Sequence, residues 1–78
     1  MKINVAEAMR ELLDREKVDC MLRGSLDAIH RGVYCFFSVQ WKYLTPKEAF
    51  FLGELYQSSS VDAAEYIVQE FEDELTNN

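Results

Sequence analysis

His30, Cys20 and Cys35 are the residues of this chain whose types best suit nucleophilic or metal chemistry, and their spacing serves neither. A thiol or hydroxyl nucleophile needs a base that a third group holds in place. The one histidine sits in a turn-like stretch with Asp27 and Arg31, and no serine or cysteine is placed to be its nucleophile. A structural zinc draws its ligands from closely spaced pairs such as C-x-x-C, and neither that pattern nor H-x-x-x-H occurs. Carboxylates are plentiful, but on a solvated helix face they lack the burial that fits a carboxyl for acid/base work. Gly24, Gly32 and Gly53 lie too far apart to form a phosphate loop. The expectation is a protein that is not an enzyme, with no cofactor, no metal and no catalytic residues.

What remains is charge. After Lys47 there is no Lys, Arg or His, while Glu48, Glu54, Asp62, Glu65, Glu70, Glu72, Asp73 and Glu74 all follow it. The first 47 residues hold eight bases and six acids, so the formal net charge of −6 is carried by the C-terminal part. Nucleic acid and anionic membrane are poor direct ligands for such a chain, because phosphates require clustered Lys and Arg. Clustered like charge repels itself and is most useful as a field shown to a partner. Four acids, Glu70, Glu72, Asp73 and Glu74, crowd the end of the last helical stretch. There each opposes the helix dipole at about 0.3–1 kcal/mol. Tyr66 lies in the middle of this acidic face, with Asp62 and Glu70 one turn to either side, as a binding anchor would. The expected partner-binding set is Asp62, Glu65, Tyr66, Gln69, Glu70, Glu72, Asp73 and Glu74. Tyr34, Phe36 and Phe50 form the expected dimer or second interface, because they exceed what one small core can absorb.

These residues must be positioned by a short list of elements. Asn4 followed by Glu7 starts a first helix over 5–17, with Val5, Met9, Leu12 and Leu13 on one face. Past Lys17, Val18 would fall on the polar face, and the alternation of Val18, Cys20 and Leu22 suits a short strand over 18–23. Gly24–Ser25 then turns the chain. Ser25 caps a turn or two reaching Ile29 and Arg31, and Gly32 supplies a left-handed stop. A single helix across 18–31 is the other possibility. Residues 33–44 are rich in β-branched and aromatic types and read as a long strand. Val33, Cys35, Phe37, Val39, Trp41 and Tyr43 would share its buried face, with Cys35 opposite Cys20. The shorter strand cannot cover the longer, which leaves an edge for residues 1–4 or a second subunit. Thr45-Pro46-Lys47-Glu48 is a strong start for a helix over 46–57. Ser60 caps another over 61–75, whose apolar face is Val61, Ala64, Ile67, Val68, Phe71 and Leu75.

The expected fold is α+β: one compact domain over 1–78, its helices packed on a small antiparallel sheet, with an all-α bundle as the alternative. With 78 residues, 49% of them hydrophobic, the chain has the composition of a small globular domain. It shows no targeting segment and no apolar run long enough for a bilayer, and two cysteines fit a reducing cytoplasm. In size, charge and lack of catalytic motifs it resembles in profile the phage-encoded inhibitors of host defence nucleases, such as anti-CRISPR and anti-restriction proteins. That likeness rests on no motif, and it implies an inhibitor that covers a basic, nucleic-acid-binding surface of another protein, in the host cytoplasm. The alternative is a homodimeric structural or regulatory adaptor, antitoxin-like, that buries the aromatic 33–50 surface.

Overall fold

Val5, Met9 and Leu13 recur at helical spacing and are all buried, on a first helix α1 (Val5–Arg23). The structure is a computed structural model that describes residues 2–23 and 26–77, the side chains of 19–23 excepted. Asn4 begins the helix, its Oδ1 accepting from the Glu7 N–H at 3.1 Å. The helix does not stop at Lys17. Residues 18–23, expected as a strand, continue it, and Val18 simply stands in solvent, 59% exposed. One exposed valine costs far less than breaking a run of helical hydrogen bonds. The turn expected at Gly24–Ser25, with the cap at Ser25, lies outside the described residues, as does the side chain of Cys20.

The second correction is larger. Helix α2 (Asp27–Gln40) and a 3-10 turn (Trp41–Tyr43) occupy the stretch that the long strand was to fill. Among the described residues there is no strand, and the expected α+β sheet is replaced by four helices. The reason is visible in what α2 buries: Ile29, Val33 and Gln40, with Phe36 and Phe37 packed against the core. Those positions repeat every three or four residues and make one helical stripe. Burial along that stripe overrides the β-preference of the individual residues. Of the expected strand face, only Val33 is buried, while Val39 and Trp41 are more than 60% exposed. Gly32 is no stop; it lies inside α2. A Cβ there would come within 2.1 Å of Leu12 Cδ2, so its missing side chain is what lets α1 and α2 approach.

Helices α3 (Pro46–Tyr56) and α4 (Val61–Thr76) fall where the sequence puts them. Thr45 and Glu48 make the reciprocal capping box, and Ser60 Oγ accepts from the Ala63 N–H at 3.1 Å.

Consecutive helices are antiparallel. Arg10 meets Glu72 and Lys17 meets Glu65, so the numbers of α1 and α4 run in opposite directions. Leu12 faces Gly32 while Glu16 reaches Ile29, and Lys47 meets Glu74 while Phe51 stacks on Phe71. Each helix packs against its two neighbours, α1 on α2, α2 on α3, α3 on α4 and α4 on α1. The result is an up-down-up-down bundle around Met9, Leu13, Ile29, Leu52, Leu55, Val68 and Phe71. Each such side chain contributes roughly 1.5–3 kcal/mol on burial.

One core position is polar. Glu16 is fully buried, and its Oε1 accepts from the Ile29 N–H at 3.1 Å. The residue at the N-cap of α2 is Leu26, which has no side-chain acceptor. A carboxyl on α1 thus caps the first turn of α2, where free N–H groups and the dipole both favour an acceptor oxygen.

Candidate protein-binding groove

The acidic face of α4 divides into three parts once its neighbours are in place. On the side toward α1, Glu72 takes a two-pronged contact from Arg10, whose Nε lies 3.1 Å from Oε2. That hydrogen bond raises the affinity of the Arg10 guanidinium for its proton above the ordinary arginine value, against the opposing effect of burial. One helical repeat earlier, Lys17 Nζ lies 3.1 Å from Glu65. On the side toward α3, Lys47 Nζ lies 3.2 Å from Glu74. Three of the carboxylates expected to meet a partner therefore hold bases of their own fold.

The outward row is different. Asp62, Tyr66, Gln69 and Asp73 follow one another at three- and four-residue spacing, and all are exposed. Gln69 donates to Asp73 Oδ1 at 3.1 Å. Tyr66 is 70% exposed. Neither Asp62, Glu70 nor Asp73 makes an ion pair among the described residues.

Tyr66 has a companion from the neighbouring helix. Phe50, 60% exposed, stands on α3 with its ring edge-on to Phe51, centroids 5.4 Å apart. Phe51 in turn packs on Phe71 at 5.0 Å, which anchors this side of the groove to the core. Between the helices runs an open groove of about 400 Å³ lined by Phe50, Phe51, Glu54, Ala63, Tyr66, Ile67 and Glu70. Its floor is apolar and its walls carry two carboxylates and two exposed rings. Such a surface suits a cationic side chain, which an aromatic face and a carboxylate attract together.

The sequence separates Phe50 from Tyr66 and assigns them to different interfaces; the structure brings them to one. Glu54 was missed. The available signal was its place one helical turn after Phe50, on the face pointing away from Phe51 and Leu55. The other two residues of the expected second interface are dispersed. Tyr34, 67% exposed, borders the α2/α3 groove with Tyr56, whereas half-buried Phe36 lines the α1/α2 groove. No single surface holds Tyr34, Phe36 and Phe50 together.

The remaining candidates do not converge. His30 packs its ring on Tyr56 at 5.4 Å, and Cys35 is exposed and unbonded. Among the described residues no three metal-capable side chains come together, and no helix is long and apolar enough to cross a membrane. Comparison with protein-family models, with curated proteins and with solved structures finds no match to this chain.

Proposed function

We propose that this protein is a non-catalytic binding module whose α3/α4 groove takes a basic segment of a partner protein. The segment would belong to a surface that otherwise holds nucleic acid, so that binding inhibits the partner by occupying its phosphate sites, in the manner of the phage anti-defence inhibitors it resembles in profile. The observation that carries the reading is the convergence of Phe50 and Tyr66 with Glu54 and Glu70 around one groove. None of these carboxylates is engaged by a base among the described residues. Exposed rings contribute contact area at low entropic cost, and carboxylates beside them select a cation and steer its approach.

The test is a titration with a fluorescein-labelled arginine-rich helical peptide. It is paired with an assay in which the protein displaces labelled duplex DNA from a basic DNA-binding protein. Tyr66→Ala should weaken peptide binding by about thirtyfold, the scale of an aromatic hot spot. Joint reversal of Glu54 and Glu70 to Lys should abolish binding, and added salt should weaken the wild-type contact. Unchanged affinity in the reversal variant would overturn the proposal.

A further inference from the structure

The charges of the bundle leave a second groove with the opposite character. Between α1 and α2 runs an open trough of about 650 Å³ lined by Leu12, Val18, Ala28, Gly32 and Cys35, with Arg15 and Arg31 on its walls. It continues past Phe36 and Val39, where Glu11 is the one acidic residue among the described residues that line it. Gly32 keeps its floor low, since no side chain rises from that position beside Leu12. Val18 and Val39, 59% and 69% exposed, present apolar surface along it. Lys2, Arg10, Lys17 and Lys47 are all held in ion pairs, whereas Arg15, Arg31 and, away from the trough on the 3-10 turn, Lys42 are in none among the described residues. The order of helices around the bundle sets this trough across the molecule from the α3/α4 groove.

We infer that the occupant of the α1/α2 trough is the α3/α4 face of a second copy of this chain. Phe50 and Tyr66 of one copy enter the apolar trough of the next, and Glu54 and Glu70 face Arg15 and Arg31. Apolar surface meets apolar surface and the two arginines of one groove meet the two carboxylates of the other, the arrangement that favours association and fixes its register. Because the two surfaces differ and lie on opposite sides, the contact is head-to-tail. It leaves one free groove of each kind at the ends of any open oligomer and does not close at two copies. This inference rests on the reading of the α3/α4 groove as a site for basic segments, and it makes the second copy a competitor for that site.

Sedimentation velocity at low salt, over a concentration series into the hundreds of micromolar, tests it. Wild type should grow with concentration past a dimer of its 9.1 kDa chain and return to monomer in high salt. The Arg15→Glu/Arg31→Glu variant retains only the acidic groove, and the Glu54→Arg/Glu70→Arg variant retains only the basic trough. Each alone should stay monomeric, with helical content by circular dichroism unchanged because all four residues are exposed. An equimolar mixture should recover association through the one intact groove on each partner. A wild type that stays monomeric throughout, or a mixture that recovers nothing, overturns the inference. The first arginine variant also separates the two proposals. It should bind the arginine-rich peptide at least as well as wild type, so loss of self-association with peptide binding kept leaves the function standing. Failure of wild type to bind the peptide while still associating would remove the function instead.

Discussion

Replacing Glu16 tests whether a carboxyl borrowed from α1 starts α2. Its Oε1 takes the Ile29 N–H at 3.1 Å, and its Oε2 has no partner among the described residues. Glu16→Ala removes the acceptor and empties a fully buried site. A buried N–H left without a partner costs about 1–3 kcal/mol, and the cavity adds a loss of about 2 kcal/mol. The sum, roughly 3–5 kcal/mol, is a large part of the few to ten kcal/mol expected for a domain of this size. It should lower Tm by about 15 °C or more. Glu16→Gln keeps an oxygen for Ile29 and exchanges the unpartnered oxygen for an amide of nearly the same shape. It should stay within about 1 kcal/mol of wild type. Urea unfolding followed by far-UV circular dichroism, with thermal melts beside it, measures both. If the glutamine variant loses as much as the alanine variant, hydrogen bonding to Ile29 is not what the residue supplies. If the alanine variant loses less than about 1 kcal/mol, the cap contributes nothing that water cannot replace.

Two further perturbations follow from the same contacts. Gly53 lies inside α3 with no atom within 4 Å of a Cβ built upon it, whereas a Cβ at Gly32 would collide with Leu12. Gly53→Ala should therefore stabilise by roughly 0.5–1 kcal/mol, with Gly32→Ala at least about 1 kcal/mol less stable than that variant; equal melting temperatures would refute the close approach of α1 and α2. Glu48 supplies the acid dependence. Burial by itself pushes this carboxyl up, but hydrogen bonds from Lys2 and Thr45 outweigh it and hold the folded value below the ordinary 4.5. Its contribution is therefore complete above about 4.5 and lost as pH falls through the lowered folded value. Lys2→Met should reduce stability at neutral pH and converge with wild type in acid, and a gap that persists below the carboxylate range would refute the assignment.

The elements that carry their own local signals were legible. Thr45-Pro46-Lys47-Glu48 and Ser60 mark the starts of α3 and α4 with side chains that satisfy free N–H groups, and those bonds form as the spacing implies. Residues 18–23 and 33–44 lack such punctuation, and their β-branched and aromatic types spoke for strands. What decides them is tertiary: Ile29, Val33 and Gln40 are buried on one stripe, and that stripe exists only when α1 and α3 flank it. Glu16 conceals the continuation of α1 in another way, since an acidic type at a core position interrupts the apolar spacing of Val5, Met9 and Leu13. In the candidate site, Tyr66 stood out against its acidic surroundings and Phe50 against its own helix. Their meeting depends on the register of α3 against α4, which no local pattern encodes.

The charge segregation that dominates the sequence takes a specific form in the fold. Each ion pair among the described residues joins a base from the first 47 positions to an acid beyond them: Lys2 with Glu48, Arg10 with Glu72, Lys17 with Glu65 and Lys47 with Glu74. Half-exposed pairs of this kind contribute little individually, about 0–1 kcal/mol. Their effect on the surface is larger, because they neutralise four of the eight bases while leaving several acids unpaired. The balance that remains is uneven in space. Glu54 and Glu70 are left beside exposed aromatic rings in one groove, and Arg15 and Arg31 beside exposed valines in the trough opposite. A surface that served solubility alone would scatter its uncompensated charge over polar faces. In these two grooves unpaired charge lies beside apolar side chains that reach solvent, a combination that solubility does not require and that supports the docking surfaces proposed above.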